Sequence, residues 1–289
     1  MAFNVQTFKT RALTAVVFVV VMMTGLLWNK WSFFVLFSIV HFGGWLEFQK
    51  LVEGFNPDYR KIIPFHRYGI MLAGWFLLLY FSNEELYIGG FHLSDAGLWG
   101  GVAMMVLLPL VILLESKSFL LKNLAYSLFG VFYLSLSLGL LIGIRMLYGV
   151  DSAGRGDFGK SIALALVFSI WINDTMAYVV GSFIGKTPFS KISPKKTWEG
   201  TVGGAILCVV VMAFIGKALG LSYVDAACIA AIAAIAGTAG DLFESKLKRM
   251  AGVKDSGSFM PGHGGFLDRF DSLLFASVFV WIYMVLFMR

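Results

Sequence analysis

Nine stretches of this chain run apolar for 15 to 24 residues, at 12–28, 32–52, 68–82, 96–115, 125–148, 161–184, 200–218, 223–240 and 271–288. A helix needs about 20 apolar residues to cross the hydrocarbon of a bilayer. In lipid it must also satisfy its own backbone hydrogen bonds, which leaves helices as the spanning element for runs of this length. The pattern predicts an all-α, polytopic integral membrane helix bundle of about nine transmembrane helices. Composition agrees: 58% of residues are hydrophobic and 14% charged, against about 25% charged in soluble domains. So few charges cannot coat a soluble surface, which excludes a large soluble domain, a disordered chain and a disulfide-built secreted module. Cys208 and Cys228 both sit in apolar runs and read as packing residues, with no CxxC or Cys/His cluster to suggest zinc.

The net charge of +6 finds its reason in how the charges are distributed. Counting loops from a cytoplasmic N-terminus, 17 of the 23 Lys and Arg fall on the inner side and 6 on the outer. The 83–95 loop carries acids but neither Lys nor Arg. The positive-inside rule therefore places the N-terminus in the cytoplasm. Topology and anionic lipid headgroups account for the basic balance, so no nucleic-acid partner is called for. The basic segment Met1–Arg11 leads into the first run with no small-residue cleavage site, and reads as a retained span. Residues 1–150 are plain hydrophobic span, a scaffold for packing and lipid contact. Residues 151–289 concentrate polar groups at span edges and in two cytoplasmic loops, 185–199 and 241–270, and form the predicted catalytic region. The oligomeric state is open, with a homodimer among the arrangements allowed.

The stretch from Gly240 to Asp271 carries most chemistry. If the eighth run continues as a helix, Asp241, Glu244, Ser245 and Lys248 share one face. Lys246, Arg249 and Lys254 add positive charge. The loop Pro261-Gly262-His263-Gly264-Gly265 lets backbone N–H groups approach a ligand, and Asp268-Arg269-Phe270-Asp271 follows at the next membrane edge. Carboxylates around a basic, glycine-rich loop suit a Mg²⁺-bound polyphosphate: oxygens hold the cation, while Lys, Arg and amide N–H groups hold phosphate. Two further constellations lie upstream. Asn173 and Asp174 sit inside the sixth run, where a carboxylate costs about 2.5–3.5 kcal/mol, so they should face an interior or a wet cavity. In Ser193-Pro194-Lys195-Lys196-Thr197-Trp198-Glu199-Gly200, residues 193–196 could cap the next helix, with Thr197 and Glu199 near its first turn. An ordinary positive-inside loop would explain those lysines too, but their place on the same face as the acidic stretch favours a phosphate clamp.

Three of these blocks carry a resemblance. The 27 residues from Ser245 to Asp271, with Lys248-Arg249, Lys254-Asp255, His263-Gly264-Gly265 and Asp268-Arg269-Phe270-Asp271 at fixed spacing, resemble the signature of phosphatidate cytidylyltransferases. The SPKKTWEG segment and Asp174-x-x-Ala177-Tyr178 resemble other blocks of that family in the same order, so the likeness covers roughly residues 171–271. It implies transfer of CMP from CTP to phosphatidate with Mg²⁺, giving CDP-diacylglycerol and pyrophosphate for phospholipid synthesis. Asp241, Asp268 and Asp271 are then expected as catalytic carboxylates and metal ligands, with Asp174 as a further carboxylate; this many acids is compatible with a second cation. Lys196, Lys248, Arg249 and Arg269 are expected on phosphates, and His263 as an acid on the leaving group. Glu199, Glu244, Ser245, Lys254, Gly264, Gly265 and Asn173 complete the substrate contacts. The expected place is the inner (cytoplasmic) membrane, with the site facing the cytoplasm. Competing readings are another Mg²⁺-dependent lipid phosphotransferase, whose DDxxD or DGxxAR spacing is absent, and a secondary transporter, which Gly181, Gly185 and Gly237 allow. His66 and His92 are expected at the membrane interface.

Overall fold

The computed structural model describes residues 5–115, 121–147, 157–260 and 264–288. Among them are ten α-helices: α1 (Val5–Leu27), α2 (Lys30–Phe55), α3 (Pro64–Tyr80), α4 (Leu93–Glu115), α5 (Leu121–Gly130), α6 (Ser137–Arg145), α7 (Phe158–Ile184), α8 (Trp198–Ala218), α9 (Tyr223–Met250) and α10 (Leu267–Phe287). A π-helical segment, Val131–Leu136, joins α5 to α6, so the two form one span from Leu121 to Arg145. A two-stranded hairpin, Tyr87–Ile88 with Phe91–His92, precedes α4. Seven of the described helices are long and apolar enough to cross a membrane. Each apolar run expected from the sequence coincides with helix; α3 is 17 residues long, and the apolar part of α1 is the shorter stretch Ala12–Leu27. The chain is thus an all-α, multi-pass membrane protein.

Helix starts follow local chemistry. Asn29 and Ser32 form a reciprocal capping box on α2, Pro64 occupies the first turn of α3, and Asp157 accepts from the Lys160 N–H of α7. Thr197 caps α8 by accepting from Gly200 N–H at 3.2 Å, so the cap lies one residue beyond the expected 193–196. Only there does the backbone turn from extended to helical with a hydroxyl in reach.

The chain divides into two compact units. One comprises the helices up to Ile142 together with Leu247–Phe270; the other comprises Gly143–Lys246 and Asp271–Arg289. The first is held by buried polar pairs as well as apolar packing. Ser135, on the π-helical segment, meets His41 Nε2 and accepts from Trp45 Nε1, both at 2.9 Å. Ser127 meets Tyr59 Oη at 2.8 Å and His66 Nε2 at 2.9 Å. Asn56 donates to Asn123 at 2.8 Å. Without water to compete, such pairs are how polar side chains join helices in lipid. His66 is therefore buried in this network, not at the interface as expected, because Ser127 and Tyr59 supply partners that replace water.

The second unit rests on close backbone approach. Methyl groups placed on Gly200 and Gly204 would stand 2.8 Å from Ala177 O and 2.6 Å from Ala177 N, so α7 and α8 touch through glycine. Gly240 brings α9 against α10 in the same way, with a hypothetical Cβ 2.5 Å from Asp271 O. At the far end, buried Arg145 makes a two-pronged ion pair with Asp157, at 2.7 and 3.1 Å.

Candidate active site

The part of the signature stretch from Leu247 to Phe270 belongs to the first unit and folds around two carboxylates. α9 continues unbroken through Asp241, Glu244, Ser245 and Lys248, as its spacing predicted, and stops at Gly252 with φ +72°. The described residues from Val253 to Met260 and from Gly264 to Phe266 then lie in a loop before the start of α10. Asp268, in the first turn of α10, accepts from Lys248 Nζ at 2.6 Å through Oδ1. Its Oδ2 accepts from Ser256 N at 2.9 Å and Gly265 N at 2.8 Å. Glu47, on α2, closes the other side: Oε1 accepts from Phe266 N, and Oε2 from Leu267 N, both at 2.9 Å. Ser256 Oγ stands 2.8 Å from Glu47 Oε2 and 2.9 Å from Asp268 Oδ2. One hydroxyl hydrogen can serve only one of the two carboxylates at a time. The Phe266 ring fills the space beside Gly43 and stacks on Phe259, centroids 4.0 Å apart.

This arrangement gives the glycines a specific task. A Cβ on Gly265 would collide with both Glu47 oxygens, and one on Gly264, at φ +88°, with Asp268 Oδ2. The sequence reading had glycine opening the backbone to a ligand. Here the groups that the backbone approaches are carboxylates of the protein itself, and they hold the loop in shape.

The second unit gathers a separate acidic group. Asp271 on α10 hydrogen-bonds with Asp241 and lies within electrostatic reach of Glu244, both on α9, and accepts from Ser272 N at 2.6 Å. Glu244 is fully buried and Asp271 nearly so. Lys196 reaches this group and ion-pairs with Asp241. The hairpin that presents Lys196 is built from backbone bonds, Phe189 N to Lys196 O at 2.7 Å and Trp198 N to Thr187 O at 2.9 Å. Glu199 fastens it by accepting from Lys186 N, Thr187 N and Thr187 Oγ1, at 2.8 to 3.2 Å.

The sequence-predicted residues thus fall into groups. Asp241, Glu244, Asp271 and Lys196 come together in the second unit; Lys248, Asp268, Gly264 and Gly265 come together in the first. Arg249, Lys254 and Arg269 are exposed, Arg249 donating to Val253 O at 3.0 Å, and Ser245 is half-buried. Asp174 is exposed on α7, whereas Asn173 is buried with its Oδ1 unpartnered. His263 lies outside the described residues. Among the described residues no group of three or more His, Cys, Asp or Glu side chains forms a ready cation site. The residue of this arrangement that the sequence alone does not place is Glu47. Its signal was present, an acid inside an apolar run where an unpaired charge is costly, but its partners lie 209 to 220 positions away.

The chain matches the cytidylyltransferase family over residues 9–287. It is 33% identical over 272 residues to the phosphatidate cytidylyltransferase of Staphylococcus saprophyticus, covering 92% of this chain and 95% of that protein. The Bacillus subtilis phosphatidate cytidylyltransferase is 35% identical over 187 residues, 64% of this chain and 69% of the relative. That of Helicobacter pylori strain J99 is 41% identical over 138 residues, so there the chain spans about half the relative's length, at 50%.

Proposed function

Because the chain belongs to the cytidylyltransferase family, we propose that it catalyses transfer of CMP from CTP to phosphatidate, giving CDP-diacylglycerol and pyrophosphate. A lipid phosphate oxygen forms a bond to the α-phosphorus of CTP as the bond from that phosphorus to the pyrophosphate oxygen breaks. The nucleophile is already anionic near neutral pH, so the protein's work is to bring two polyanions together and offset the charge on the departing pyrophosphate. The observation that carries this reading is the gathering of Asp241, Glu244 and Asp271 beside Lys196. Hard carboxylate oxygens crowded together, with a lysine already drawn in to balance them, suit a divalent cation. Mg²⁺ is commonly held by one or two carboxylates, with waters and substrate phosphates completing its shell. Asp241 and Asp271 would hold the ion, and when bound it supplies positive charge to the triphosphate oxygens. Lys196 is the proposed phosphate contact in that group; Arg249, Lys254 and Arg269 are proposed as phosphate contacts on the resemblance of the signature alone. Asp268, expected with Asp241 and Asp271 as a metal ligand, also accepts from Lys248, Ser256 and Gly265 and so shapes the loop.

In the same reading the protein crosses the cytoplasmic membrane nine times. α1 and α3 join the seven longer spans, the N-terminus is cytoplasmic, and loops 185–199 and 251–266 face the nucleotide pool. The test is pyrophosphate release by purified protein in detergent with CTP, phosphatidate and Mg²⁺, beside Asp271→Asn and a no-lipid control. Release that requires all three components and drops about 100-fold or more in the variant supports the proposal. Well-folded protein that releases no pyrophosphate across several phosphatidate species and divalent ions overturns it.

A further inference from the structure

Glu47 lies far from the signature in sequence, yet it bonds three of its residues, Ser256, Phe266 and Leu267. It is buried at 6% exposure, and no Lys or Arg among the described residues pairs with it. Its charge is met instead by Ser256 Oγ and by the free N–H groups of Phe266 and Leu267 at the start of α10. A helix N-terminus carries about half a positive charge and unsatisfied donors, so a carboxylate there is stabilising. Two glycines are fitted to this one side chain, since a Cβ at Gly257 or Gly265 would strike the Glu47 carboxylate. A buried acid used only as helix glue would need no such clearance on both arms of a loop.

We propose that Glu47 is a positioning residue of the transferase. From α2 it holds Ser256 at one end of the loop and the first residues of α10 at the other, and so fixes Lys248–Asp268 and the exposed Arg269 in working register. The inference rests on the proposed reaction for its kinetic side alone. Glu47→Gln keeps the shape but leaves one acceptor oxygen where three donors converge. The full-length variant in detergent is expected to lose about 10- to 100-fold in kcat, as small misplacements of catalytic groups do, with a smaller change in KM for CTP. Trypsin should cut faster after Lys254, in the loop, and at the unchanged rate after Lys191, in the separate 185–198 hairpin. Ser256→Ala should act in the same direction. The double variant should be no worse than the poorer single one, because both substitutions release the same clasp.

Wild-type kinetics and Lys254 cleavage in Glu47→Gln would overturn the proposal. So would losses that simply add in the double variant, or cleavage accelerated equally at Lys191, which would mark Glu47 as a general packing residue. If Glu47→Gln does not fold, Ser256→Ala decides by the same two readouts. Should the wild-type protein release no pyrophosphate, the reaction fails but the clasp is still judged by Lys254 against Lys191 cleavage.

Discussion

Asp271 shows what a carboxylate at membrane depth demands. It is buried against two other acids, Asp241 and Glu244, and the lysine that reaches the group pairs with Asp241. Like charges this close repel, and the low dielectric around them weakens screening. A divalent cation would relieve the repulsion, and any ligand bound only by the folded state raises stability by RT ln(1 + [L]/Kd). Thermal unfolding in detergent should therefore shift upward when Mg²⁺ and CTP are added to wild-type protein. Asp271→Asn removes an oxygen that could ionise to hold the cation, so the Mg²⁺-dependent shift should shrink or vanish. A variant that still responds fully to Mg²⁺ would remove Asp271 from the cation site. Lys196→Met tests the other partner: it leaves Asp241 without its ion pair, so both metal-free stability and pyrophosphate release should fall, the latter about tenfold or more.

Among the helices, what the sequence disclosed and what it hid separate along physical lines. Apolar runs of 15 to 24 residues announced every span because lipid imposes length and composition together. The unbroken course of α9 through Lys248 was legible from its i, i+3, i+4, i+7 spacing. The π-helical turn at Val131–Leu136 was not, since it arises from tertiary packing that puts Ser135 onto His41 and Trp45. The Glu199 carboxylate looked like a substrate contact because local sequence shows an acid beside lysines, not the Lys186 and Thr187 amides that it binds. Glycine was equally ambiguous: only the folded chain distinguishes a clearance for ligand from the clearance for Glu47 at Gly265, or for α7 at Gly204. The last case yields a prediction. Gly204→Ala sets a methyl 2.6 Å from Ala177 N, so the helices must part and stability should fall by about 1–3 kcal/mol, read as a lower unfolding midpoint. Ala at Gly101, where the nearest neighbour would be Phe76 Cβ at 3.9 Å, should leave the midpoint unchanged.

For the whole molecule, orientation and chemistry constrain one another through α3. This helix has 17 residues, short for a span, and its ends carry opposite charge patterns: Arg60 and Lys61 before it with Arg67 in its first turn, Glu84 and Glu85 after it. If α3 crosses, the acidic 83–95 loop lies outside, and every later loop keeps the side that the positive-inside rule assigns. If it does not, the parity of all later loops inverts. Lys186, Lys191, Lys195 and Lys196 would then face outward, and so would the exposed Arg249 and Lys254, away from CTP. A short helix can still cross by local thinning of the bilayer or by flanking residues that reach to the interface, at fractions of a kcal/mol per Å, whereas exporting a cluster of cations opposes the insertion bias. Glu84→Cys, Ser190→Cys and Asp255→Cys, each tested singly with a membrane-impermeant maleimide, should resolve the matter, since Cys208 and Cys228 lie within membrane helices. Glu84→Cys should label only in right-side-out vesicles, and the other two only in inverted ones. Labelling of Ser190→Cys from the outside would place α3 on the cytoplasmic surface and remove the nucleotide site from the compartment that the proposed reaction requires.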